Sequence, residues 1–238
     1  MNRLRYDRLD ALRAAAIVWM AVYHFSFDLN LYRLVPPQDF YRDPFWTMQR
    51  SCIVSLFLFC AGLSQAVALQ AGTGWPAFWK RWAQVAGCAL LVSAGSALMF
   101  HDRWISFGVL HGMAVMLVMA RLLAPLRHAL WPLGALAVAL PLWVQDPLFD
   151  SRLLNWVGLV THKPLTEDFV PVMPWLGLML WGLAAGQWLL THRPAVLAGG
   201  LPGALRPMAI LGRWSLSFYM VHQPVLIGAI LAWRALRG

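Results

Sequence analysis

Long apolar runs alternate with short polar segments along the chain. A helix that crosses the hydrocarbon core of a bilayer needs about 20 mostly apolar residues. Seven runs approach or reach that length, at about residues 9–27, 45–69, 83–100, 105–123, 129–144, 172–190 and 208–233. The pattern therefore predicts an all-α fold, a polytopic transmembrane helix bundle of about seven spans.

Prolines affect two of these runs. The run 129–144 is short and contains Pro132 and Pro141. The last run contains Pro224, which lacks a backbone donor and is expected to kink its helix. No internal repeat or low-complexity tract divides the sequence, so we expect a single transmembrane domain over residues 1–238.

The composition also indicates a membrane protein. Of the 238 residues, 60% are hydrophobic and 12% are charged, whereas soluble domains carry about 25% charged residues. Many of the 14 tryptophans lie near the ends of apolar runs, as in the aromatic belt at a membrane interface. The lipid bilayer is therefore the first expected partner.

The net charge of +9 is spread between the apolar runs. This distribution indicates membrane orientation and anionic phosphate ligands, and it argues against nucleic acid as a partner. A cytoplasmic N-terminus places eleven of the 19 basic residues on the inner side, as the positive-inside rule favours. These eleven are Arg3, Arg5, Arg8, Arg13, Lys80, Arg81, Arg121, Arg127, Arg193, Arg206 and Arg213.

Ionisable residues inside a membrane span are costly, so each one is a candidate functional residue. His24 and Asp28 are four residues apart and share one face of the first predicted helix. A carboxylate beside an imidazole fixes its tautomer and stabilises its charged form, as a general base requires. The structural alternative is a pair at a helix end that reaches the interface.

Arg50 and His111 are predicted at a similar outer depth. Arg50 can pair with Asp28 or hold an oxygen-rich substrate group. His111 lies between Gly108 and Gly112, a spacing that lets a neighbouring segment approach closely. It can position a substrate or simply make an interhelical hydrogen bond, and both interpretations stay open.

The remaining candidates concern an acyl donor and its phosphates. His222 lies in the middle of the last run, two residues before Pro224, and is predicted at a different depth from His24 and His111. Structural and catalytic uses of His222 are equally open. On the inner side Arg13 can pair with Asp10 or, with Lys80, Arg81 and Arg121, bind phosphates.

Several familiar chemistries have no motif in the sequence. There is no Walker loop, no G-x-G-x-x-G, no H-E-x-x-H and no C-x-x-C. Cys52, Cys60 and Cys88 lie in apolar runs and are expected to be small buried hydrophobes. No metal is expected.

Four segments together resemble a known family. Residues 8–24, RLDALRAAAIVWMAVYH, contain a basic residue, Leu-Asp-x-x-Arg, an apolar helix and a histidine. The others are FSFDL at 25–29, FGVLH at 107–111, and LGRWS at 211–215 with HQP at 222–224. The chain resembles the short bacterial relatives of heparan-alpha-glucosaminide N-acetyltransferase, a family of membrane acyltransferases.

This resemblance implies an enzyme that uses acetyl-CoA or another acyl-CoA as co-substrate from the cytoplasmic side. The acceptor would be an amine or hydroxyl, commonly of a saccharide, at the periplasmic face of the inner membrane. A histidine is central in the family, and His24 matches it best. We therefore expect His24, Asp28, His111 and Arg50 in catalysis, and Arg13, Lys80, Arg81, Arg121 and His222 in donor binding.

Two other classes and one assembly stay open from the sequence. Buried charges and a kinked helix also suit a transporter or flippase. His24, His111 and His222 can supply axial ligands in a haem-bearing membrane subunit. A homo-oligomer is also open.

Overall fold

The computed structural model describes residues 6–100 and 102–237, which are helical and contain no β-strand beyond one isolated bridge. The predicted all-α fold is confirmed. Arg3 and Arg5, used above for orientation, lie outside the described residues. The helices are α1 Asp7–Leu31, α2 Pro44–Gln70, α3 Trp75–Met99, α4 Val109–Leu123, α5 Leu130–Trp143, α6 Val172–His192, α7 Pro194–Ala198, α8 Arg206–Arg213 and α9 Ser215–Arg237.

The described residues contain six helical stretches long and apolar enough to cross a membrane, so the chain is a multi-pass membrane protein. Five of these stretches are α1, α2, α3, α6 and α9. The sixth, Val109–Trp143, contains both the fourth and the fifth predicted runs. It joins α4 to α5 through a 3-10 turn, in which Arg127 has a left-handed φ of 42°.

The direction of the chain reverses within this sixth stretch. The Val109 N–H donates to Asp168, just before α6, and Gln187 near the end of α6 donates to the Ala124 carbonyl. Helix α4 is therefore parallel to α6. Gly134 of α5 contacts Gly177, near the start of α6, and Trp131 accepts a hydrogen bond from Trp181 further along. Helix α5 is thus antiparallel to α6, so α4 and α5 form a hairpin. Each of the seven predicted runs is mostly helical, and the last is divided between α8 and α9.

The described chain forms two compact units. The first unit comprises residues 6–57 and 195–237, and the second comprises Leu58–Pro194. That residues 1–238 act as a single domain stays a prediction.

Charged contacts hold the start of α1 in the first unit. Arg213 of α8 donates to Asp7 at 2.9 Å, and Arg13 donates to Asp10 at 2.6 Å. Gly212 packs so closely that a Cβ atom there would collide with the backbone of Asp10. A glycine is therefore required where α8 crosses α1, and α8 and α9 both pack along α1.

The loop between α1 and α2, residues 32–43, is folded into the core of the first unit. Phe40 is 2% exposed, stacks on Trp46 with ring centroids 4.0 Å apart, and meets the Tyr23 ring edge-on. The loop is anchored from α1 by Asn30, which donates to the Gln38 carbonyl and accepts from the Gln38 N–H. This loop is thus more than an exposed connection.

Helix α6 organises the second unit. It packs against α4 and α5, and its glycines meet the C-terminal half of α2. A Cβ atom on Gly182 would collide with the Phe59 carbonyl, one on Gly186 with Ala66, and one on Gly62 with the backbone of α6. Small residues thus let two helix backbones approach closely, which is a common way of packing helices in membranes.

Many large apolar side chains face outward. Leu98 is 82% exposed, Leu142 78% and Leu90 68%. Large apolar side chains exposed in such number are rare on soluble monomers, whereas the acyl chains of a bilayer solvate them readily.

Candidate functional site

Helices α1 and α9 bring four polar side chains together in the first unit. His24 and Asp28 lie one turn apart near the end of α1. His222 and Gln223 lie next to each other on α9, which packs against α1. We call these four residues the α1–α9 cluster.

Asp28 is completely buried, at 0% exposed. Its Oδ1 accepts a hydrogen bond of 2.8 Å from the Gln223 side-chain amide. Its Oδ2 is buried and has no partner in the described part of the chain. A buried carboxylate is costly unless it is hydrogen-bonded, so one neutral amide leaves this group only partly satisfied.

His222 is 9% exposed and has a defined tautomer. Its Nδ1 lies 2.6 Å from the Tyr219 carbonyl oxygen. A carbonyl oxygen can only accept, so Nδ1 carries the proton and Nε2 is left as an acceptor. Nε2 is buried and has no partner among the described residues.

The His24 ring lies beside that of His222, with ring centroids 5.2 Å apart. Tyr23 meets the His24 ring edge-on, and Phe218 stacks parallel to the His222 ring. Aromatic rings therefore flank both imidazoles.

The buried atoms without a partner in this cluster share one chemical property. They are Asp28 Oδ2, His222 Nε2 and Gln223 Oε1, and each of them accepts hydrogen bonds when the carboxyl is ionised. A buried acceptor left unmatched costs about 1–3 kcal/mol. The cluster can therefore accept hydrogen bonds and a proton from a ligand that carries N–H or O–H groups.

Two pairings expected from the sequence are not made. Within the described residues, Asp28 is bonded to Gln223 and not to His24, and it forms no ion pair with Arg50. Arg50 is half-buried in the second turn of α2. The prediction that His222 lies at a different depth from His24 is wrong, because packing of α9 on α1, and not position within an apolar run, sets its level.

His111 belongs to a separate network in the second unit. Its Nδ1 accepts from the Gly108 N–H at 3.2 Å, so Nε2 carries the proton and donates to Ser93 Oγ at 3.0 Å. Ser93 in turn donates to the Ile105 carbonyl at 2.7 Å. Both ring nitrogens are used, which is the interhelical alternative named above, and a catalytic role for His111 stays a prediction.

The predicted donor-binding cations have different surroundings. Lys80 and Arg81 are exposed near the start of α3. Arg121 is 7% exposed, donates to the Thr73 carbonyl and lies 5.0 Å from the ring centroid of Trp75. Its Nη1 is buried without a partner among the described residues. Arg13 already pairs with Asp10.

Two residues that the structure makes prominent were not predicted from the sequence. Gln223 donates the hydrogen bond to Asp28. The feature that could have indicated it in the sequence is an amide side chain inside an apolar run. Asp168 accepts from the Val109 N–H at 2.7 Å across 59 residues of chain, and nothing in the local pattern indicates that contact. Among the described residues no group of three or more His, Cys, Asp or Glu side chains can hold a metal ion.

A multi-pass helical protein with a buried imidazole and a buried carboxylate between its helices belongs to the membrane proteins whose intramembrane polar groups act on a ligand. The chain belongs, more specifically, to the family described as heparan-alpha-glucosaminide N-acetyltransferase, catalytic, whose model matches residues 5–224. The resemblance noted from the sequence is confirmed, and the chain is a membrane acyltransferase of this family. Comparison with curated proteins gave no match, and neither did comparison with solved structures.

Proposed function

We propose that the protein transfers an acetyl group from cytoplasmic acetyl-CoA to an amine or hydroxyl at the periplasmic face, with a saccharide as the acceptor. The observation that carries the proposal is the α1–α9 cluster, buried in a chain of an N-acetyltransferase family. Proton-accepting groups shielded from water are what acyl transfer to a weak nucleophile needs.

His24 is the proposed centre of the reaction. Its imidazole either takes the proton of the acceptor or carries the acyl group briefly. Asp28 supplies a negative charge that favours a cationic imidazole nearby. Arg50, half-buried in the first unit, is proposed to stabilise the oxyanion of the tetrahedral intermediate. His111 is proposed to orient the acceptor.

The donor is proposed to bind through cations. Lys80 and Arg81 are exposed, and Arg121 has one unmatched guanidinium nitrogen, so these three can meet the CoA phosphates. Arg13, in the first unit, is also proposed to bind donor phosphates, by exchanging its bond to Asp10. His222 was assigned to the same function from the sequence.

The orientation of the protein is part of the proposal. The excess of basic residues on one side of the predicted spans supports an inner-membrane protein with its N-terminus in the cytoplasm. Reporter fusions after Arg42 and after Arg193 should locate opposite sides of the membrane. The same result at both positions would contradict this topology.

The purified full chain in detergent tests the reaction. Acetyl-CoA is mixed with glucosamine or another saccharide acceptor, and release of free thiol is followed. We expect release that depends on the acceptor and falls by 10²-fold or more in His24→Ala, on the scale of about 10²–10⁴ for acid–base catalysis. His128→Ala, at an exposed histidine of the second unit, is the matched control. No dependence on acetyl-CoA, or full turnover in His24→Ala, would reject the proposal.

A further inference from the structure

The two histidines of the α1–α9 cluster differ in how their rings are fixed. His222 has its tautomer set by the bond from Nδ1 to the Tyr219 carbonyl, 2.6 Å long. Within the described residues no hydrogen bond fixes the tautomer of His24. A general base works best when its proton-accepting nitrogen is defined before the substrate arrives. His222 meets that condition and His24 does not.

Burial strengthens this distinction. His222 is 9% exposed and its Nε2 is fully buried, whereas His24 is only half-buried. His111, the other intramembrane histidine, has both nitrogens engaged by Gly108 and Ser93. Of the three histidines proposed for the reaction, His222 alone combines a fixed proton on one nitrogen with a buried, unmatched lone pair on the other.

Two groups near His222 can stabilise a transient positive charge on its ring. The His24 ring faces it from α1, and Tyr219 lies on its own helix. The Asp28 carboxylate is held by Gln223, the residue next to His222. The Tyr219 carbonyl oxygen that accepts from Nδ1 also stabilises an imidazolium, because the N–H group of a charged ring donates a stronger hydrogen bond.

We propose that Nε2 of His222 is the proton acceptor for the attacking group in acyl transfer, an inference that rests on the proposed function. The acceptor nitrogen or oxygen attacks the carbonyl carbon of the acyl group, and a C–N or C–O bond forms. The bond from that carbon to the leaving sulfur of CoA, or to an acylated His24 nitrogen, breaks with its electron pair. The proton of the acceptor passes to His222 Nε2 and then to the leaving group or to water.

In this proposal the two imidazoles have different roles. His222 receives the proton, and His24, with its neighbouring ring 5.2 Å away, is left to meet the acyl group. The sequence placed His222 among the donor-binding residues, and the new role gives it direct contact with the reacting atoms.

The test compares wild type with His222→Asn in the acetyl-CoA and glucosamine assay. Asparagine keeps an N–H donor for the Tyr219 carbonyl but has no basic nitrogen. We expect kcat to fall by about 10²–10⁴-fold, with KM for acetyl-CoA changed by less than threefold. Wild type should lose kcat at acidic pH as Nε2 becomes protonated, and this loss should be absent in His222→Asn. Added imidazole should restore part of the rate.

A matched control is His192→Asn. His192 also has Nδ1 near a carbonyl of the preceding turn, that of Trp188 at 3.0 Å, but its side chain is exposed. Its substitution should leave kcat and the pH profile unchanged. His222→Gln, which offers an amide nearer to the position of Nε2, repeats the test if His222→Asn does not give a cooperative melt.

The outcomes separate the two claims. Active wild type with more than a tenth of kcat in both His222 variants, or with an unchanged pH profile, would overturn the role of His222 and leave the proposed function standing. Wild type without any acetyl-CoA-dependent transfer would remove both.

Discussion

The bond between Gln223 and Asp28 should be a strong determinant of stability, and substitution of Gln223 by leucine measures it. Gln223→Leu keeps a side chain of similar length but removes the donor that Asp28 has among the described residues. Asp28 is 0% exposed, so lipid or water does not replace that donor without rearrangement.

The magnitude follows from burial. An unmatched buried acceptor costs about 1–3 kcal/mol, and more when it is charged. We therefore expect Gln223→Leu to lower the free energy of unfolding by about 2–3 kcal/mol. For a chain of this size each kcal/mol shifts Tm by about 2–4 °C, so Tm should fall by roughly 4–12 °C.

A double substitution isolates the pair. Asp28→Leu with Gln223→Leu removes both partners, and replacing both by apolar groups is close to neutral. The double variant should therefore melt above Gln223→Leu. Thermal unfolding in one detergent, followed by tryptophan fluorescence, gives all the values. Gln145→Leu, which removes an exposed amide bonded to the Pro141 carbonyl, should change stability by less than about 0.5 kcal/mol.

The reasoning is refuted by either of two results. One is a Tm for Gln223→Leu within 2 °C of wild type. The other is a double variant that loses the full sum of the two single losses, because additive effects would mean that the side chains do not interact.

Two further predictions concern the second unit. Gly182→Ala forces a Cβ atom against the Phe59 carbonyl and should lower the free energy of unfolding by about 1–3 kcal/mol, measured by thermal melting. Its control is Gly87→Ala, which has no atom near its Cβ position and should be neutral or stabilising by up to about 1 kcal/mol. Equal melting temperatures of the two variants would contradict the close contact. In the loop between α5 and α6 the hydrogen bond from Thr161 lowers the pKa of Asp150. The stabilisation of the loop by this hydrogen bond should therefore be complete above the ordinary aspartate pKa of about 3.9 and should be lost as the pH falls further. Hydrogen exchange of residues 145–171 should show this loss at a higher pH in Thr161→Val, and identical profiles would argue against it.

The helices were predictable because each one is a local property of the chain. Apolar length identifies a span without knowledge of its neighbours, and this includes α4 and α5, which are separated by a turn at Arg127. The pair of Asp10 and Arg13 was predictable for the same reason, since three residues make one turn.

The geometry of the site was only partly predictable. The spacing of His24 and Asp28 indicates a shared face but not which partner each one chooses. Asp28 bonds to Gln223, 195 residues away in sequence, and His222 reaches His24 because α9 packs on α1. Contacts of this separation depend on how helices tilt and rotate, and no local pattern encodes that.

The first unit is assembled from the two ends of the chain, and this has a consequence for its biogenesis. Asp28 leaves the ribosome 195 residues before Gln223, an interval of roughly 10–40 s at cellular rates of synthesis. During that time the first helix inserts with a carboxyl group that lacks its Gln223 donor. This favours retention of the helix beside the translocon or an insertase until α9 is inserted. A chain truncated before α9 should therefore be recognised by quality-control proteases at its first helix, where the Asp28 carboxyl group lacks its donor.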